Sequence, residues 1–526
     1  MNWKKLSLFA FAALFCWIVG CAQAPEYDLV VTGGTLLDGT GSPGFSADIG
    51  IKDSMIASVG QIGPGAGKRA INAKGAYVAP GFIDIHTHGD RGILNEQLKN
   101  ARNYIAQGVT SLVTGNCGGG TYEVGQYFAK MQQQGAGLNI VHLVGHGTVR
   151  SAIMQDADRA PTPEELEKMK GLVDKAMREG ASGMSSGLFY APGSYAKVDE
   201  VVELARVVRK YGGIYASHIR DESDYTTGLK SSIEEAIEVG ERAGVTVEIS
   251  HIKALGKPVW GQAPEICRII EAAQGRGVRV YADQYPYNAS GTSLTASILA
   301  RWVEADGETR ERLQDPKLLP KIKKEMAENI ERRGGPDTLL ISSFRAKPEW
   351  EGKNLLEISR IMGKTPVDAA IEMLLMGSAG VISFNMSEDD IEFFMKKPYV
   401  ATCSDGDIVE FGKGIPHPRN YAAFTRKIKR YVIEKRTIPM GQAIRAATGL
   451  PAEVLGFKDR GLIKQGYAAD IIIFDPIMVA DRATYEKPHQ YSEGIHYVLV
   501  NGKLAIEEGK FTDTLAGKPL PLSRAR

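Results

Sequence analysis

Two patterns of apolar and polar positions divide the chain. From residue 27 to 75 the apolar residues fall in short runs at 29–32, 35–38, 47–52 and 55–59, cut by Gly33-Gly34 and Gly39-Thr40-Gly41. No helical repeat fits there, and the runs read as short β-strands joined by glycine turns. The far end is alike, with apolar runs at 469–474 and 496–500, then Asn501-Gly502 before 503–507. Asn-Gly between two such runs is the mark of a tight hairpin. The two ends, 27–75 and 465–526, are expected to build one small β-domain together.

Between them, over 76–464, strand-length apolar runs alternate with amphipathic segments of helix length, the pattern of repeated β-α units around a parallel sheet. Candidate strands lie at 82–86, 110–114, 139–144, 183–186, 214–218, 246–251, 278–284 and 399–403. Eight of them predict an α/β fold, a (β/α)8 TIM-like barrel. Residues 163–179, with Thr162 as cap, and 231–243 read as helices. The runs at 339–342 and 381–384 compete with 278–284 for the seventh strand. The charged stretch 302–333 reads as helical, and 288–345 is expected to be a lid-like insertion near the barrel mouth.

The first residues follow neither pattern. Lys4 and Lys5 precede the apolar run 6–19, the layout of an export signal and too short for a comfortable membrane span. Ile18-Val19-Gly20-Cys21 resembles a bacterial lipobox; the ordinary small-x-small site at Ala22-Gln23-Ala24 is disfavoured by Pro25 directly after it. Residues 1–20 are therefore expected to be removed, with Cys21 acylated and the mature chain exported to the cell envelope, lipid-anchored and facing the periplasm. Of five cysteines, Cys16 leaves with the signal and Cys21 carries lipid. Cys117, Cys267 and Cys403 remain, an odd trio that suggests no disulfide framework. A composition of 43% hydrophobic and 24% charged residues with net charge +1 describes a globular chain without a basic field for nucleic acid, so the expected partner is a small molecule.

Candidate chemistry collects where barrel enzymes build their sites, at the C-terminal ends of the predicted strands. Strand one leads from Ala79-Pro80-Gly81-Phe82-Ile83-Asp84 to His86 and His88. Alternate side chains on a strand share a face, so both imidazoles can reach one metal ion. Gly115-Asn116-Cys117-Gly118 follows strand two, His218 ends strand five, His251 ends strand six, and Ser404-Asp405-Gly406 follows strand eight. Singly these read as a buried cysteine, core histidines and a loop cap. Together, a thiolate, four imidazoles and a carboxylate on one rim suit zinc, in one site or two.

With Ser217-His218-Ile219-Arg220, Ser250-His251-Ile252-Lys253, Tyr285-Pro286-Tyr287 and His417-Pro418-Arg419, these motifs resemble the amidohydrolase superfamily and, within it, the N-acyl-D-amino-acid deacylase (D-aminoacylase) family, over nearly the whole mature chain. The resemblance implies one tight zinc held by Cys117, His218 and His251, and a second, weaker position among His86, His88 and Asp405. Many superfamily members bridge two metals with a carboxylated lysine on strand four. Here Gly183-Met184-Ser185-Ser186-Gly187 stands in its place, and the Cys117 thiolate is read as the replacement.

The same resemblance implies Asp405 as the catalytic proton carrier, Arg419 as the clamp on the substrate α-carboxylate, and Lys253 and Tyr285 in carboxylate binding and oxyanion stabilisation. Relatives commonly show adjacent hydroxyl residues after the tyrosine pair. This chain reads Asn288-Ala289-Ser290-Gly291-Thr292, which makes Ser290 the candidate third contact. His142 and His146 carry no metal role, His146 being placed near substrate, and Cys267 and Cys403 read as core. The expected activity is zinc-dependent hydrolysis of N-acyl-D-amino acids to a carboxylate and a free D-amino acid. The alternatives are a dipeptidase acting on peptides with a C-terminal D-residue, a cyclic amidase, which an open-chain carboxylate clamp argues against, and a non-catalytic envelope lipoprotein.

Overall fold

A computed structural model describes residues 25–522. The leader, the lipobox and the Cys21 anchor lie outside the described residues. No helix among the described residues is long and apolar enough to cross a membrane.

The middle of the chain forms an eight-stranded parallel sheet in sequence order: Phe82–Asp84, Val109–Thr114, Asn139–Gly145, Gly183–Gly187, Ile214–His218, Thr246–Ile249, Val280–Gln284 and Val400–Thr402. Strands two to six are buried at every position, as a parallel sheet covered on both faces requires. Helices supply the outer cover. Pro163–Arg178 starts with a Thr162–Glu165 capping box and buries the stripe Met169, Val173, Ala176 and Met177. Leu229–Ala243 stops at Gly244, which takes the left-handed conformation.

The sheet curls into the (β/α)8 barrel, and its seam is unusual. No ladder joins the first and eighth strands among the described residues. Closure instead comes from the segments just past them: Thr87 bridges Gly406, the His88 amide donates to the Gly406 carbonyl at 2.7 Å, and the Asp405 amide donates to the His86 carbonyl at 3.0 Å. The Ser404 amide donates to Asp84 Oδ1 at 3.0 Å. The first strand therefore ends at Asp84, two residues short of the expected 82–86, because beyond it the backbone turns to make the seam. His86 and His88 are presented by that turn, not by strand alternation.

The competition for the seventh strand is settled by pairing. Val280–Gln284 lies parallel between Thr246–Ile249 and Val400–Thr402. Leu339–Phe344 and Ala379–Phe384 pair antiparallel with each other, and the latter also with Ala289–Ser293. The insertion thus runs past residue 345 to its last strand, ending at Phe384. It has its own apolar core, including Ile322, Met326, Ile341, Phe344 and Leu355.

The chain ends meet in the expected extra β-domain. Tyr77–Pro80 lies between Ile471–Phe474 and Thr35–Leu36 in one sheet, and Tyr27–Thr32 is central in a second. Ile49, Ile51, Ile71, Ile471, Ile473 and Leu499 share one core between them. Asn501 and Gly502 take φ of 47° and 76°, the two positive values that a two-residue hairpin turn requires.

Candidate metal centre and active site

Side chains from separate strand ends converge at the C-terminal mouth of the barrel. Cys117 Sγ lies 3.4 Å from His86 Nε2, 3.9 Å from His88 Nε2, 3.6 Å from His218 Nδ1 and 3.6 Å from His251 Nε2. Asp405 Oδ1 stands 3.1 Å from His88 Nε2 and 3.7 Å from His86 Nε2. Donor atoms of His86, Cys117 and His251 lie mutually within 4.8 Å, as do those of His86, His88 and Asp405. His86 therefore belongs to both groups, where the sequence reading placed it only with the weaker position. His218 joins through Cys117, and also through a group with Glu222 and His251.

The backbone is bent to make this cluster. Cys117, His251 and Asp405 take φ of 51°, 38° and 49°, a left-handed conformation that costs a non-glycine residue on the order of 1 kcal/mol and persists only where the surroundings enforce it. The Cys117 loop is pressed onto strand four: a Cβ at Gly187 would sit 2.3 Å from the Cys117 carbonyl oxygen, and one at Gly118 would sit 2.9 Å from the Gly187 nitrogen. Ser185, on the strand where a bridging lysine is missing, accepts the Gly118 amide at 3.0 Å and donates to the Gly115 carbonyl. Strand four thus holds the cysteine loop in place. The His251 amide donates to Asp283 Oδ1 at 2.8 Å, and the Asp405 amide is tied across the seam.

Charge follows from these contacts. Burial opposes ionisation of Cys117, but His86, with His218 and His251, outweighs it and holds the thiol well below its usual range. Burial likewise opposes charge on His86, yet the Cys117 thiolate and Asp283 hold its imidazole up at about 10. Asp405 is buried, and Arg419, whose Nη1 lies 2.8 Å from Oδ2, leads the cations that keep it well below the carboxylate range. Glu222 is kept ionised against burial by Lys253, His218 and His251. Its Oε1 lies 3.1 Å from His251 Nδ1. Lys253 Nζ also lies 2.8 Å from that Nδ1, so a carboxylate and an ammonium together position the ring, and its Nε2 faces Cys117. Asp283 Oδ2 lies 3.5 Å from His86 Nδ1 and places a negative charge behind that ring. Thiolate, imidazole and carboxylate together form a donor set that fits zinc.

The cluster opens into a cavity of about 240 Å³ whose lining includes His88, Cys117, His218, His251 and Asp405 as well as Lys253, Tyr285, Ser290 and Arg419. Arg419 opens the helix Arg419–Arg426 and is buried, its guanidinium carbon 4.8 Å from the centre of the Tyr285 ring. The Tyr285 hydroxyl is buried without a hydrogen-bond partner, and burial pushes its pKa well up, so it remains a donor. Lys253 donates to Glu222. Ser290 Oγ accepts from Asn385 Nδ2 at 3.0 Å within the insertion sheet.

Comparison with known proteins agrees with this site. Residues 69–296 and 399–506 match the amidohydrolase family. The chain is 34% identical to the D-aminoacylase of Alcaligenes xylosoxydans xylosoxydans, over 96% of this chain and 99% of that protein. The chain belongs to the amidohydrolase family, in its N-acyl-D-amino-acid deacylase branch. A solved D-aminoacylase, described by a binuclear metal centre with one-metal activation and second-metal attenuation, matches with a TM-score of 0.81 and 32% identity, covering 94% of this chain and 100% of its own. An N-acyl-D-glutamate deacylase from Bordetella bronchiseptica, solved with zinc and a phosphonate mimic of the tetrahedral intermediate, matches with a TM-score of 0.81 and 34% identity, covering 95% and 100%.

Other residues of this amidohydrolase depart from the sequence reading or were missed by it. His146, expected near substrate, is buried behind the Cys117 loop with its Nε2 2.8 Å from Glu200 Oε1 and does not line the cavity. His142 is satisfied by Thr114 Oγ1 at 2.9 Å and the Thr121 carbonyl at 3.3 Å. Cys267 and Cys403 are buried free thiols. Glu222, Tyr190, Thr292 and Arg333 line the cavity unannounced. Glu222 carried a faint signal, four residues past His218. Tyr190, its hydroxyl 3.3 Å from Thr292 Oγ1 and its ring 4.6 Å from that of His218, reads in sequence as one half of an ordinary core pair with Phe189.

Proposed function

We propose that this amidohydrolase uses zinc to hydrolyse the amide bond of N-acyl-D-amino acids, releasing a carboxylate and a free D-amino acid. The observation that carries the reading is one small cavity holding the Cys117–imidazole cluster, Asp405 and the buried Arg419 together. The likeness to D-aminoacylase and to N-acyl-D-glutamate deacylase supports the substrate class.

Cys117, His218 and His251, with His86 beside them, would hold the tight zinc, and His86, His88 and Asp405 a weaker second one. When bound, zinc polarises the scissile carbonyl and lowers the pKa of a water it holds toward about 7. Asp405, ionised and on the cavity wall, accepts the proton of the attacking water and returns it to the amide nitrogen, which leaves only once protonated. Tyr285 offers its unpartnered hydroxyl to the oxygen that gains charge. Arg419 takes the α-carboxylate: a guanidinium has five N–H donors, so the contact of Nη1 with Asp405 leaves others for the substrate. Lys253 and Ser290 add donors on the same wall. The insertion, which contributes Ser290 and Thr292, is read as the cavity's cover.

Removal of metal by chelation and stepwise return of zinc, with free D-amino acid measured at each step, tests this directly. Release should vanish and return with zinc. Turnover by metal-free protein, or none by the zinc-loaded protein, contradicts it.

We also infer that the chain is exported and held at the bacterial envelope by acyl groups on Cys21, a reading that rests on Lys4, Lys5, the apolar run and Gly20-Cys21. Cys21→Ser should abolish metabolic lipid labelling. Labelling that persists would exclude the anchor.

A further inference from the structure

Three cations line the metal cavity: Lys253, Arg333 and Arg419. Lys253 is paired with Glu222 and Arg419 with Asp405. Arg333 differs. It follows the insertion helix Leu319–Arg332, is only 2% exposed, and forms no ion pair with a carboxylate among the described residues. Its Nε donates to the Ser297 carbonyl at 3.0 Å and its guanidinium carbon lies 5.7 Å from the Tyr225 ring centre. Its Nη1 is buried with no hydrogen-bond partner, as is the Tyr225 hydroxyl beside it. A buried guanidinium without a counter-charge is costly to hold. On the wall of a substrate cavity the cost has a ready explanation, which is that the substrate brings the counter-charge.

We propose that Arg333 is a specificity-determining residue that receives a second carboxylate of the substrate, so that the enzyme prefers dianionic N-acyl-D-amino acids. This rests on the deacylase reading above, in which Arg419 takes the α-carboxylate. The two guanidiniums approach from different walls. Arg419 follows strand eight and stacks on Tyr285, whereas Arg333 sits against the loop after strand six, where a Cβ at Gly256 would meet the Arg332 carbonyl at 2.5 Å. Two guanidiniums lining one cavity can each take a carboxylate of the same substrate. A neutral group in the same place would leave the guanidinium buried and unpaired, so selectivity arises from the penalty as much as from the attraction. The second carboxylate can be carried by the side chain of a D-aspartyl or D-glutamyl residue, or by a succinyl-type acyl group.

The test is kcat/KM of the zinc-loaded protein for N-acetyl-D-glutamate, N-acetyl-D-aspartate, N-succinyl-D-leucine and N-acetyl-D-leucine, in the native chain, Arg333→Met and Arg333→Lys. The native chain should favour at least one dianionic substrate over N-acetyl-D-leucine by on the order of 100-fold. Arg333→Met should collapse that ratio, and Arg333→Lys should restore part of it, keeping the charge without the planar fork. Preference for the acidic D-residues places the second carboxylate on the side chain; preference for N-succinyl-D-leucine places it on the acyl group. Native preference for N-acetyl-D-leucine, or equal losses on all four substrates in Arg333→Met, overturns the proposal and leaves the deacylase reading standing. No turnover of any of the four with zinc bound overturns both. Should Arg333→Met not fold, the native ranking and Arg333→Lys decide.

Discussion

The cavity has two walls built on different plans. On the barrel wall, His88, Cys117, His218, His251 and Asp405 follow the ends of parallel strands, and the backbone around them is tied across the seam and onto strand four. On the insertion wall, Ser290, Thr292 and Arg333 come from an antiparallel sheet and the end of a helix that pack on a separate apolar core. The match to the amidohydrolase family covers all eight barrel strands and the insertion's first strand with Ser290 and Thr292, and leaves out residues 297–398, Arg333 among them. Backbone ties hold the barrel wall where the reaction needs a fixed geometry, and Arg333 stands on the part of the insertion that the family match leaves out.

That division can be broken at several points. The largest effect is expected from Cys117→Ala, which should lose most bound zinc and nearly all activity, since the thiolate is the donor that four imidazoles surround. Metal content and turnover on one preparation check it. Asp405→Ala should keep much of the tight zinc while kcat falls by about 10²- to 10⁴-fold, the usual contribution of a proton carrier. Zinc lost from Asp405→Ala but retained in Cys117→Ala would reverse the assignment of the two residues.

Arg419→Met should lower kcat/KM by about 2 to 5 kcal/mol with zinc retained, as when one partner of a desolvated charge pair is removed. A substrate with its α-carboxylate converted to an amide should lose little further. The same variant carries a pH signature. Arg419 is the chief cation holding Asp405 below the carboxylate range, so its removal raises the pKa of that carboxyl, and the acid limb of the kcat/KM profile should move to higher pH. A limb that stays in place would mean that Asp405 does not define it. The smallest effect is expected far from both walls: Thr162→Ala removes a capping box and should cost about 1 kcal/mol in unfolding free energy.

The barrel wall was legible in sequence for a physical reason. Strand ends in a parallel barrel all point to one rim, so His86, His88, Cys117, His218, His251 and Asp405 could be brought together without knowledge of a single contact. What was not legible depends on pairing between distant segments. The runs at 339–342 and 381–384 carry the same apolar signal as Val280–Gln284, and only their antiparallel register with each other removes them from the barrel. The first strand was read two residues long because apolar alternation continues through Ile85 while the backbone has already turned toward the seam. Glu222 and Asp283 lie beside histidines that other strands supply, and Arg333 looks in sequence like one more charge on an exposed helix.

The central claim is that this metal centre and the Arg419 clamp together hydrolyse amides of D-residues. The most direct test is kcat/KM for N-acyl-D-amino acids against their L-enantiomers, matched in acyl group and side chain, with zinc measured on the same sample. With the amide held beside the metal ligands and the α-carboxylate on Arg419, two substituents of the chiral carbon would be fixed, and the two enantiomers would send their side chains in different directions. The account predicts hydrolysis of the D-enantiomer by zinc-loaded protein and little of the L-enantiomer. Faster hydrolysis of the L-enantiomer, or equal rates for both in protein that carries no zinc, would contradict it.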